Sequence, residues 1–310
     1  MIFPQSNEWH RFVEFLQQLT NKAINQYYNP YRAFVWADSI PLDSYWMSPD
    51  LLSISGTDYM DSIDEVTLYR LSKWESIHFY SLNVHGIRDL LLEVVARIHQ
   101  PGFETVSNFL HHFIGEENEH MWFFSQFCLR YGGKIYPIAK LPEQSKLMNS
   151  PEIETFLVFA KILILEEIVD FFNVRMSRDG HLHEIIQQVN RMHHQDESRH
   201  IAFGRRLLAI WYAELQKQFD ETMENYLENR LKAYIRYCLN NFYNPHVYLD
   251  AGVRDPFNLR MQLLHAEGRK KIERQYIGKM MTYFVKTGVF RDEKLPDFIA
   301  SIPSRLVVGD

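Results

Sequence analysis

The sequence predicts an all-α protein built on four long core helices. Apolar residues recur at helical spacing along most of the chain, and Gly and Pro clusters break it into segments long enough for helices. No apolar/polar alternation runs beyond a few residues, so strands are not predicted.

Residues 8–28 place Trp9, Phe12, Val13, Phe15, Leu16, Leu19, Ala23 and Ile24 on one helical stripe and predict a peripheral helix. From Asn29 to Asp61 turn residues recur among Tyr31, Phe34, Trp36, Tyr45 and Trp46, which reads as an ordered loop held down by its aromatics. Residues 62–99 and 103–131 predict two long helices, the first ending before Gln100-Pro101-Gly102 and the second at Gly132-Gly133; the tight turn makes them an antiparallel hairpin. Residues 134–150 read as a loop. Pro151-Glu152 opens a third helix to about Ser177, and a fourth runs from about His183 to Ala213. Two further helical patterns, 218–244 and 256–287, are separated by Asn244-Pro245 and Asp255-Pro256, and Pro303 precedes a polar tail. The expected organisation is a single domain over 1–310, with its core at about 62–215, an N-terminal helix and aromatic loop in 1–61, and C-terminal helices in 216–310.

At 310 residues, 46% apolar and 15% aromatic, the chain can bury a large core. A net charge of −6 with scattered Lys and Arg gives no basic footprint for nucleic acid. The most apolar run, Phe156 to Leu165, is half the ~20 residues a membrane span needs. Cys128 and Cys238 are expected as core fillers, not a disulfide framework, and Met1 to Asn7 lack the basic start and apolar run of a secretory signal, so a cytoplasmic location is expected.

The chemistry is concentrated at residues 193–200, where His193, Glu197 and His200 fall at i, i+4 and i+7 on one helix face. A second Glu-x-x-His occurs as Glu117 and His120 on the second core helix. Paired iron ions need bridging carboxylates and capping imidazoles, supplied in helical bundles by one Glu from each of two helices and Glu-x-x-His from each of the other two. The third helix offers Glu166 or Glu167, within an apolar segment where an uncompensated charge would be costly. On the first core helix no Glu stands opposite Glu117. His85 is the candidate there, with Asp89 one turn on, while Glu75 lies about 15 Å further along at about 1.5 Å per residue. Glu116 and Glu119 are expected to face solvent; Asp196 and Asp170 are candidates to orient ligating histidines.

These residues resemble the p-aminobenzoate N-oxygenase family of ferritin-like di-iron oxygenases. The resemblance rests on Glu117-Asn118-Glu119-His120 and on His193-His194-Gln195-Asp196-Glu197-Ser198-Arg199-His200, and spans roughly residues 60–215. His193, four residues before Glu197, is its distinguishing mark: the family looks to have seven ligands, the added one a His at that position. Its third-helix Glu lies 27 residues before that His, which falls on Glu166. One departure is that the family carries a Glu on its first core helix where this chain has His85, Gly86 and Ile87.

The resemblance implies a ferritin-like bundle holding two Fe ions, with Mn as the alternative metal. It implies O2 as co-substrate and an external electron donor that restores the ferrous state. The activity it implies is oxygenation of a small organic substrate, N-oxygenation of an amine first, with C–H hydroxylation or desaturation as variants. The expected partners are that substrate, a reductase or other donor, and a second copy of the chain as a homodimer. The aromatic loop and C-terminal helices are the expected pocket walls. Two rival readings are an iron-handling ferroxidase, which needs only about half the chain's length, and a radical-generating protein like a ribonucleotide-reductase small subunit, with Tyr80 as the radical site.

Overall fold

A computed structural model describes residues 7–139 and 150–296, and these contain helices and turns but no strand. The helices are α1 (Asn7–Asn25), α2 (Pro30–Ala33), α3 (Asp58–Ser62), α4 (Glu65–Val95), α5 (Glu104–Phe127), α6 (Pro151–Met176), α7 (Glu184–Leu215), α8 (Glu221–Asn241), α9 (Pro245–Ala251), α10 (Pro256–His265) and α11 (Glu267–Lys286). Part of the 134–150 loop, and the tail with Pro303, lie outside the described residues.

Local chemistry sets the core helix ends. Asp64 accepts a hydrogen bond from the Thr67 amide and caps α4. Pro151 occupies the first turn of α6, where its missing N–H goes unneeded. Beyond α5 the chain makes one π-helical turn, Cys128–Gly132, and stops at Gly133, whose φ of 68° favours glycine.

Cross-helix contacts fix the bundle's order. Phe79 of α4 stacks on Phe172 of α6, and further along α4 Gly86 meets Leu165, so these helices run oppositely. On α5 and α7, Phe109 meets Phe203 and His120 meets His193, again in opposite order. The ring is therefore α4–α5–α7–α6 with antiparallel neighbours, and α4 and α7 are parallel across its diagonal. Tyr80 of α4 and Asn190 of α7 are joined across that diagonal by a 2.7 Å hydrogen bond.

The remaining helices wrap this core. α1 lies on α5 and α7, with Phe12 packed on Phe203. Within the aromatic loop, which includes α2, a 3-10 turn and α3, Tyr31 and Phe34 pack on Trp122 and Phe123 of α5. The helix predicted over 256–287 is broken at Ala266, whose backbone is extended. The break brings Gly268 so near Gly56 that a Cβ there would lie 1.8 Å from the Gly56 carbonyl oxygen. A short helix, α9, stands where a connection was predicted; Pro245 begins it and Asn244 caps it. No helix among the described residues is long and apolar enough to cross a membrane.

Candidate metal centre

The helical period that aligns Glu117 with His120 on α5, and His193 with Glu197 and His200 on α7, turns both stripes into the bundle. Antiparallel packing then brings them to one level. Two groups of side chains result: His120, His193 and Glu197, and Glu117, Glu166, Glu197 and His200, each with its ligand atoms within 4.8 Å of one another. Glu197 belongs to both and lies between them. All six residues are buried.

The His193 Nε2 lies 2.9 Å from Glu197 Oε1, and His200 Nδ1 lies 2.9 Å from Glu117 Oε1. His120 Nδ1 is 3.5 Å from the same Glu197 oxygen. Glu117 Oε1, His120 Nδ1, Glu166 Oε1, His193 Nε2, Glu197 Oε2 and His200 Nδ1 are each buried without a hydrogen bond among the described residues. Six unsatisfied donor or acceptor atoms facing one space is a costly arrangement unless a cation compensates it. Carboxylate oxygens with imidazole nitrogens suit iron or manganese, so the residues present fit a pair of such ions.

The charges point the same way. Burial drives the Glu166 carboxyl well above its ordinary value, with the Glu197 charge adding to the rise. Burial also opposes ionisation of Glu197, yet the imidazoles of His193 and His200 outweigh it and hold its carboxylate well below the usual range. Burial disfavours imidazolium at His120, but Asp196 and Glu117 overcome this and push it up to about 10. Protons thus fill the charge deficit at this cluster, and a divalent ion would displace them.

Each imidazole is aimed from behind. Asp196 Oδ2 lies 3.0 Å from His120 Nε2 and Glu116 Oε2 lies 2.8 Å from His200 Nε2, so both rings turn Nδ1 inward. Arg199 joins the two supports, donating to Glu116 at 2.6 Å and Asp196 at 2.5 Å. The Asn173 amide sits 2.7 Å from His193 Nδ1, leaving Nε2 for the centre. Tyr28 donates to Asp196 at 3.0 Å.

Several expectations need correction. Glu116 is buried behind His200 instead of facing solvent. The stripe Phe113, Glu116, Glu117 and His120 already carried that signal, because all four recur at helical spacing. His85 is absent from both groups; its Nε2 lies 2.8 Å from the Tyr136 carbonyl oxygen. Its level is right and its face is wrong, since residue 85 lies about 200° around the helix from both Asn83 and Ile87 on the buried face. The alternatives on α4 are also engaged elsewhere: Asp89 pairs with Arg88, and Glu75 accepts from the backbone and hydroxyl of Ser53. Glu167 is turned to Arg205, while Glu166 enters the centre. Asp170 supports His194, which is not in the cluster, and Glu119 is half-buried and accepts from Tyr27.

A cavity of about 740 Å³ opens between α4, α6 and α8. Its lining includes Asn83 and Gly86 of α4, Ile162 and Val169 of α6, and Tyr234 and Cys238 of α8. Ile162 and Val169 flank Glu166 at i−4 and i+3, so the cavity reaches the wall that carries this carboxylate. The C-terminal part of the chain does line it, through α8; the aromatic loop 29–61 does not and packs on α5 instead.

No curated protein matches the chain. A family model described as P-aminobenzoate N-oxygenase AurF matches residues 11–288, which takes in α1 and the C-terminal helices as well as the bundle core. The match covers most of the 310 residues, well beyond the segment carrying the two motifs. The chain thus belongs to the p-aminobenzoate N-oxygenase AurF family, an oxygenase family of ferritin-like fold.

Proposed function

We propose that this protein is a di-iron, O2-dependent oxygenase of a small organic substrate, with N-oxygenation of an amine as its reaction and C–H hydroxylation or desaturation as variants. The single observation that carries the reading is the set of six buried ligand atoms converging from α5, α6 and α7, which face one another and have no hydrogen-bond partner outside the cluster. Glu117, His120, Glu166, His193, Glu197 and His200 are the proposed ligands, with Glu197 shared between the two metals. An iron pair bound there would supply electrons to O2, and an external donor such as a reductase would replace them.

The chain's own residues prepare the site. Asp196 and Glu116 keep the Nε2 protons of His120 and His200, so that each Nδ1 lone pair faces inward. Asn173 holds the His193 ring from its Nδ1 side; for Nε2 to ligate a metal Nδ1 must keep the proton, which requires the amide turned so that its Oδ1, here without a hydrogen bond, accepts in place of Nδ2. Arg199 pairs with both supporting carboxylates and compensates their burial. Phe79, Leu82, Ile162 and Val169 give the cavity an apolar wall on either side of Glu166, with room for a small substrate.

Anaerobic loading with Fe(II) followed by metal analysis is expected to give about two iron per chain. Glu197→Ala is expected to lose most of that metal, because the shared ligand serves both positions. Retention of the full complement by the variant would sink the ligand assignment. Turnover of an added aryl or alkyl amine under O2 with a chemical reductant then separates an oxygenase from an iron store, which would build up ferric iron without consuming amine.

A further inference from the structure

The supports of His120 and His200 meet at Arg199, and beyond it they meet one stretch of chain outside the four-helix ring. That stretch is 26–28, where the chain leaves α1. The Tyr28 hydroxyl donates to Asp196 Oδ2 at 3.0 Å, the same oxygen that lies 3.0 Å from His120 Nε2. Gln26 Oε1 accepts from Arg199 at 3.1 Å, and the Gln26 carbonyl accepts from the Gln195 side chain at 3.5 Å. Tyr28 therefore stands one side chain away from a ligand of the cluster.

The stretch covers charged groups that would otherwise meet water. Gln195 and Ser198 of α7 are exposed, whereas Asp196 and Arg199 beside them are each only 3% exposed. Charged side chains buried to that degree need partners at their polar atoms. Tyr28 and Gln26 supply two of those partners. Burial and then the Asp196 charge raise the Tyr28 hydroxyl above its ordinary value, so it remains a donor. Tyr27 differs: its hydroxyl meets Glu119 at 3.2 Å on exposed surface, and Glu119 supports no imidazole of the cluster.

We infer that Tyr28 is a positioning residue for His120, and that docking of the stretch 26–28 against α7 is coupled to metal binding at the His120 position. Phenol and imidazole share one Asp196 oxygen, so the carboxylate keeps its angle to His120 only while Tyr28 is in place. When the stretch lifts away, water replaces Tyr28 and Gln26 on Asp196 and Arg199, and His120 loses its aim. By linkage, the metal must resist that opening by the same factor by which opening weakens the metal. This rests on the metal-centre reading above and goes beyond it, because a segment N-terminal to all six ligands then governs the centre.

Hydrogen exchange of the full chain, with and without Mn(II) under anaerobic conditions, tests the coupling. The amides of Gln26, Arg32 and Ala33 are hydrogen-bonded within 22–33, and saturating Mn(II) is expected to slow exchange in this range about tenfold. Tyr28→Phe keeps the ring and removes only the hydroxyl. It is expected to weaken Mn(II) about tenfold in competition with a chelator, to erase most of the Mn(II)-dependent slowing, and to shift the visible bands of the Co(II)-loaded chain, which report ligand geometry. Tyr27→Phe should leave all three as in the wild type. Exchange at 22–33 that Mn(II) does not slow, or wild-type metal affinity and Co(II) bands in Tyr28→Phe, would overturn the inference while leaving the metal centre standing. Failure of the wild-type chain to bind Mn(II) or Co(II) would overturn both.

Discussion

Glu116 and Asp196 each direct one carboxylate oxygen to an imidazole of the cluster and the other to the single guanidinium of Arg199. His120 and His200 are therefore coupled through three residues outside the ligand set. Glu116→Gln is expected to weaken metal binding by about 10- to 100-fold with the fold intact, as checked by competition against a chelator. A second buried carboxyl acts on stability instead. Burial lifts Glu75 to about 7 from its ordinary 4.5, against the opposing donors of Ser53. The folded chain then keeps a proton that the unfolded chain releases, so stability falls as pH rises through that window, by on the order of 3 kcal/mol at its upper end. Glu75→Gln should flatten this fall, measured as the urea midpoint against pH; an unchanged slope would exclude Glu75 as its source.

Helix spacing alone marked four long core segments, and α4 to α7 stand within a few residues of those positions. What spacing could not supply was rotation, and Gly86 shows why. A Cβ on it would lie 2.6 Å from Leu165 Cδ2, so the lack of a side chain there sets how closely α4 approaches α6 and which α4 face meets the centre. His85, next in sequence, is turned to the Tyr136 carbonyl by that same packing. Gly86→Ala is expected to cost about 1 kcal/mol, less than a backbone clash would, because Leu165 also borders the cavity and can swing into it. Thermal unfolding should show the loss, and Leu165→Ala in the same chain should reduce it.

Residues far apart in sequence meet at one junction outside the bundle. Ser53 hydrogen-bonds Glu75 of α4 and accepts from Tyr248 of α9, while buried Arg269 of α11 donates to the carbonyls of Leu52 and Ser55. This ties the N-terminal loop to the C-terminal helices, and it explains why α10 and α11 break apart where one helix was predicted. Gly268→Ala should be expensive, about 3 kcal/mol, because its Cβ would strike the Gly56 backbone oxygen and not a movable side-chain end. Calorimetry should show a lower unfolding temperature. An unaltered one would mean that the junction does not hold the molecule together.

The sequence by itself determined the helical class, the long core segments and the alignment of Glu117 with His120 and of His193 with Glu197 and His200, because helical period is a property of neighbouring residues along one chain. Only the tertiary structure decided that Glu166 enters the cluster while Glu167 meets Arg205, that Glu116 stands behind His200, and that His85 is turned away to the Tyr136 carbonyl. Those outcomes depend on the rotation and height of one helix against another. Contacts such as Gly86 on Leu165 and Tyr80 with Asn190 set both, and neither contact is written in the spacing of any single helix.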